Sequence, residues 1–179
     1  VKILHISYSD IKGGASIAMY RLHEELNKTE SIRSYILVFN KNLRDKTIYD
    51  FSNDFDKNVN KLKRKFSFQF TKFQKIKSKI THSLNIFDSS IIKHIRKINP
   101  DIIHLHWINN EMISIRQIRD IHKMGFPIVW TMHDMWPYCG AEHYTKEKRF
   151  INGYTKLNKT KSNYGIDLNR YIWELKKKY

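Results

Sequence analysis

The chain has 179 residues, with 33 Lys or Arg against 17 Asp or Glu, a formal charge of +16. That length suits one domain of roughly 100 to 200 residues, and the charge calls for an anionic partner or surface. A single cysteine, Cys139, excludes an internal disulfide framework and a Cys-based zinc cluster and points to a reducing cytosol. With no basic and apolar leader before the first strand and no run of about 18 apolar residues, the chain is expected neither to be exported by such a signal nor to span a membrane.

Lys2 to Ser7 (KILHIS) is an apolar run that reads as a first strand. It leads through YSDIK into Gly13 and Gly14, and then into ASIAMYRLHEELNK, whose apolar residues recur at helical spacing. Strand, glycine turn and helix form the local grammar of a phosphate site, because glycines let backbone N–H groups approach an anion at the positive end of a helix. A plain tight connection reads equally well. The dinucleotide fingerprint of three spaced glycines is absent, which disfavours an NAD-type oxidoreductase.

Ser34 to Phe39 is expected as a second strand and Thr47 to Phe51 as a short edge strand. A basic amphipathic helical insertion is then expected over about 56–82. From Lys57 to Lys79 there are nine basic residues and no acid. Val59, Leu62, Phe66, Phe70, Phe73, Ile76 and Ile80 step by three or four, so they share one narrow apolar stripe. Three readings stand for this helix. It can lie on an anionic membrane, with Lys63, Arg64 and Lys65 toward the lipid charge and Phe66, Phe70 and Phe73 in the headgroup boundary. It can pack its stripe on the domain beneath a solvated basic face. It can stack single-stranded nucleic acid on its phenylalanines, although the stripe needed for packing already uses them, and no nucleic-acid partner is expected.

Asp88 to Ile98 reads as a helix capped by Asp88 or a following serine and stopped by Asn99 and Pro100. Two short apolar runs follow, Ile102 to Leu105 and Ile128 to Thr131, each flanked by histidine and tryptophan. They are separated by a helical segment, Met112 to Met124, with Gly125 as its cap. Runs this short, β-branched and unalternating suit parallel strands buried on both faces. The fold class is therefore α/β, a Rossmann-like parallel sheet flanked by helices. In such sheets ligands bind beyond the carboxyl ends of the strands, and in the order 3-2-1-4-5 the loops at Gly13, His106 and His133 converge. His106, Trp107, His133 and Asp134 thus mark the expected functional edge, while His104, inside its strand, reads as a hydrogen-bonded core residue. A metal centre is the rival, since HLH puts two imidazoles on one strand face and HD adds two more ligands. HLHWINN offers no further ligand beside the pair, and no metal or cofactor is expected. Asp134 then orients a neighbour or caps the next turn. Tyr144 to Gly165 reads as an irregular excursion, and a last helix from about Leu168 carries lysines favourable to its dipole.

Taken together, KILHIS, GGASIAMYRLHEEL, NPDIIHLHWIN and PIVWTMHDMWPYCG resemble the N-terminal domain of family 4 retaining glycosyltransferases of the GT-B fold, in the branch of O-antigen, capsule and colanic acid gene clusters. The likeness spans nearly the whole chain. It implies an enzyme in which a lipid-linked or glycan acceptor binds this half and a nucleotide sugar binds mainly a second, C-terminal donor domain that these residues do not include. It further implies that Gly13 and Gly14 face the donor diphosphate, that His133 touches the transferred sugar, and that His106 and Trp107 line the acceptor side. The setting it implies is cytoplasmic, peripheral on the inner face of the cytoplasmic membrane. Relatives often carry cysteines after the HDMW segment, and here Glu142 and the polar stretch beyond it lack them. A free-standing basic module that meets membranes or nucleic acid remains the other functional class.

Overall fold

The computed structural model describes residues 1–74, 80–159 and 165–179. Five strands, β1 (Lys2–Ser9), β2 (Arg33–Asn40), β3 (Ile48–Asp50), β4 (Ile102–Leu105) and β5 (Ile128–Trp130), form one sheet in the order β3-β2-β1-β4-β5. Every pairing is parallel, as the expected α/β class requires. β1 sits at the centre because both its faces are covered, and a near-continuous buried run is what such a strand needs. Its register against β4 sets His5 beside His104.

One face of the sheet carries Leu4, Ile6, Leu37, Ile103 and Leu105, which pack under α3 (Ile91–Ile98) and α4 (Ile115–His122) through Ile91, Ile95 and Ile121. The other face meets α1 (Gly14–Leu26), where Met19 packs on Ile36, Val38 and Ile48. A smaller cluster gathers Trp136, Leu84 and Ile115 with Leu168 and Ile172 of the last helix, α6 (Leu168–Lys178). Between them lies a one-turn helix, α5 (Arg149–Asn152), in the stretch expected to be irregular; residues 160–164 of that stretch lie outside the described residues. Ser114 and Gln117 close a capping box, so α4 begins at Ile115 and not at Met112. Asp88 does not cap α3 through its side chain; it accepts from Ser114 Oγ and pairs with Arg116. Among the terminal lysines, Lys176 turns inward. Its Nζ donates to the carbonyls of Trp136, Cys139 and Gly140 and lies 3.7 Å over the Trp136 ring.

The basic helix, α2 (Asp54–Phe73), starts earlier than expected, because Asn53 and Asp56 build a capping box. Residues 80–82 are not helical, and His82 instead bridges to Glu142; residues 75–79 lie outside the described residues. The helix docks rotated from the packing reading, with its stripe only at the flank of the contact, where Phe66 meets Phe87. Asn60 and Ser67, one heptad apart, face the domain, while Phe66, Phe70 and Phe73 remain 50%, 36% and 58% exposed. The inward contacts converge on Glu111, which is 2% exposed. Its carboxylate accepts from Ser67 Oγ and from the amides of Asn85, Ile86 and Phe87, while its carbonyl and that of Asn110 accept from Asn60 Nδ2. Lys63, expected to face lipid, donates instead to the Asp88 carbonyl.

Candidate functional site

The carboxyl ends of β1, β4 and β5 open into a cleft of about 530 Å³ lined by Tyr8, Lys12, Gly13, Gly14, Ala15, Ser16, Trp107, His133, Asp134 and Tyr144. Another cleft, of about 450 Å³, lies at the opposite edge beside Lys2, Tyr35, Tyr49, Asp50, His94 and Lys97. That edge holds the amino ends of the strands and has no glycine loop, so the first cleft is the one the topology favours for a ligand.

Its glycine wall leaves backbone N–H groups without a side-chain cap. Gly13 sits at φ 94°, a conformation that L side chains rarely adopt, and it stands at the N-cap of α1 with no side chain bonded to the helix end. The first amides of α1 therefore stay available, and the helix dipole adds positive potential there. The approach to this turn is held by Asp10, which is fully buried and accepts from the amides of Asn42 and Leu43 and from Asn42 Nδ2. Burial alone would raise the Asp10 pKa, but the bonds from Asn42 and Leu43 outweigh it and hold the group ionised below the usual carboxylate range.

Facing the glycines, Asp134 is the best-anchored group. Its Oδ2 accepts from Trp107 Nε1 at 2.8 Å and from His143 Nδ1 at 2.7 Å, and its Oδ1 accepts from the Trp136 amide at 2.9 Å. His143 is held in turn, its Nε2 lying 2.9 Å from Ser83 Oγ. Burial again pushes the Asp134 pKa up, and the hydrogen bonds led by His143 more than reverse it. Asp134 is expected to orient a neighbour or to cap the next turn, and its two oxygens make contacts of both kinds, to Trp107 and His143 and to the Trp136 amide. Trp107 is steadied on its other side by Tyr8, edge to face at 5.9 Å, and Arg64 of α2 reaches the Tyr8 hydroxyl. The basic helix therefore ends up against the cleft.

His133 lines the cleft, with its Nε2 3.1 Å from His106 Nδ1. His106 itself does not line it: at 3% exposed, it stands one ring behind His133 and contacts His5. His104 is hydrogen-bonded, as expected, through Nε2 to Thr131 Oγ1, but it is only half-buried and not a core residue. Gly13, Gly14, Trp107, His133 and Asp134 are thus brought together, while Phe66, Phe70 and Phe73 lie outside the cleft, half-exposed, with Phe66 against Phe87. Sequence reasoning missed His5, His143, Tyr8, Asp10 and Lys12. His5 left a signal, an imidazole inside an otherwise apolar strand. His143 left none, since its role depends on the fold of the segment after Trp136. Glu142 is buried and accepts from Tyr154 Oη at 2.5 Å.

The model of the family described as Glycosyltransferase Family 4 matches residues 12–163. No curated protein and no solved structure matches the chain.

Proposed function

Because the chain belongs to glycosyltransferase family 4, whose members act on a nucleotide-sugar donor and an acceptor, we propose that it is the acceptor-side half of a retaining GT-B hexosyltransferase. Its products would be cell-surface glycans of the O-antigen or capsule type. The observation that carries this reading is the cleft in which the bare glycine turn of α1 faces His133 and Asp134. Sugar transfer places growing negative charge on the departing phosphate. Free amides at Gly14 and Ala15, the α1 dipole and the exposed Lys12 are suited to meet that charge without a metal. A separate donor domain would close over this wall and bring the nucleotide. His133 would bond a hydroxyl of the transferred sugar, and Trp107 and Tyr144 would flank the acceptor.

The outward phenylalanines of α2 support a lipid-linked acceptor met at an anionic membrane, on the cytoplasmic face. A helix with exposed rings beside a basic flank is built for the headgroup boundary, and Arg64 links this helix to the cleft. No helix among the described residues is long and apolar enough to cross a membrane, and the proposed association is peripheral. The test is turnover of UDP- and GDP-sugars by the two-domain protein. His133→Ala is expected to lower turnover roughly 100-fold, the scale of positioning and acid–base groups, with an unchanged thermal midpoint. Wild-type turnover in that variant removes His133 from the site, and a joint loss of activity and stability returns it to the core.

A further inference from the structure

Three imidazoles run in single file from the core to the cleft. His5 is fully buried on β1, His106 nearly so after β4, and His133 is half-buried after β5. His5 Nδ1 lies 3.1 Å from His106 Nε2, and His106 Nδ1 lies 3.1 Å from His133 Nε2. Both separations are hydrogen-bond lengths, so each junction holds one hydrogen. Burial, and for the inner two also neighbouring imidazoles, lowers the pKa of His5 to about 3 and of His106 to about 2, and burial lowers that of His133 as well. At neutral pH each ring therefore carries a single hydrogen. Only two arrangements then fill both junctions. Either every N–H points outward to the cleft, or every N–H points inward to the core.

His5 Nε2 decides between them. It is buried and has no hydrogen-bond partner among the described residues. The inward arrangement would place a hydrogen on that nitrogen with nothing to receive it, and orphaned buried N–H groups are rare in folded proteins. The outward arrangement leaves only a lone pair there. His5, His104 and His106 also offer ligand nitrogens that lie within 4.8 Å of one another. A ligand taken by His5 Nε2 would leave its hydrogen on Nδ1, directed at His106, which is the outward arrangement again.

We propose that His5 and His106 are positioning residues that lock His133 as the Nδ1–H tautomer. His133 then meets its ligand as a donor to an oxygen acceptor, and not as a base that removes a proton. Its Nδ1 has no protein partner among the described residues, and the ring lines the cleft. That the acceptor belongs to a sugar or phosphate rests on the glycosyl-transfer reading; the tautomer does not.

Long-range proton–nitrogen NMR of the 15N-labelled chain at neutral pH reads the tautomer directly. His133 is expected to show a bare Nε2 and a protonated Nδ1, the reverse of what free histidine favours. His5→Asp, which can only accept, should turn the file inward and move the His133 hydrogen to Nε2. His5→Asn, which can donate from Nδ2, should leave it on Nδ1. Should His5→Asp fail to fold, His106→Phe serves in its place, since His133 without its donor should revert to Nε2–H. An Nε2–H tautomer in the wild type overturns the proposal, as does an Nδ1–H tautomer that persists in folded His5→Asp or His106→Phe. Inorganic phosphate separates the two ideas: if it leaves the His133 Nδ1 resonance unmoved while the tautomer follows the variants, the lock stands and the phosphate-facing role of the cleft falls.

Discussion

The cleft and the outer face of α2 reverse the ordinary rule of burial in opposite senses. Behind the cleft, polar groups are buried: His5, His106 and His143, with Asp10 near the glycine turn, and Glu111 under α2. On α2, phenylalanines are left in water while an asparagine and a serine are packed inside. Buried polar groups are tolerated only when bonded, and once bonded they fix position more sharply than apolar packing does. A half-exposed aromatic cluster contributes less to folding than a buried one, and contiguous exposed apolar patches are uncommon on soluble surfaces. The first region thus holds its atoms in place through hydrogen bonds, while the second leaves apolar surface open.

The comparison breaks most visibly at Glu111. Glu111→Ala orphans Ser67 Oγ and three backbone amides, and each unsatisfied buried group costs about 1 to 3 kcal/mol. Some of them will recover water once α2 loosens. The expected loss in urea unfolding is therefore about 3 kcal/mol, and loss of only about 0.5 kcal/mol, as at ordinary surface sites, would mean that α2 is not held by its polar face.

On the other side of the comparison, the chain should float with vesicles containing anionic lipid and be released at high salt, since exposed charges are screened beyond about 8 Å at physiological ionic strength. Changing Phe66, Phe70 and Phe73 together to serine should weaken that binding roughly 30-fold or more while costing only about 2 to 4 kcal/mol of stability, given that a fully buried aromatic contributes about 1.5 to 3 kcal/mol and these rings are about half exposed. Equal binding to neutral and anionic vesicles, or a midpoint that collapses with the triple change, would dissolve the distinction between the two regions.

The smallest expected effect is on pH. The folded pKa values of His5 and His106 lie below the unfolded value of 6.5, so the unfolded chain binds more protons and stability falls as pH drops below 6.5. For two such groups the loss is about 1.4 kcal/mol between pH 7 and pH 6 and steepens below that, to about 1.4 kcal/mol per group per unit. Asp10 and Asp134, depressed below 3.8, add to the loss only nearer pH 4. Urea midpoints across this range check the sign, and His5→Phe should flatten the slope by about one proton.

Much of this architecture is present in local sequence. Short β-branched runs bounded by glycine, proline or asparagine announced the strands, and the position of each run fixed which loops crowd the functional edge, because a parallel sheet puts all its carboxyl ends together. Gly13, Trp107, His133 and Asp134 could be singled out for that reason alone. Periodicity also found α2, but it could not say which face would turn inward, since that choice depended on a buried carboxylate, Glu111, from a turn far along the chain. Nor could it line up His5, His106 and His133. HLH looked incomplete because its neighbours in sequence supply no third imidazole, and the parallel register of β1 on β4 supplies one from the other end of the chain, setting His5 beside His104 and within a hydrogen bond of His106. Local pattern reports what a backbone segment will become. Which polar atoms end up with partners is settled only when distant strands pair, because a hydrogen bond depends on separations of a few tenths of an ångström that no spacing along the chain encodes.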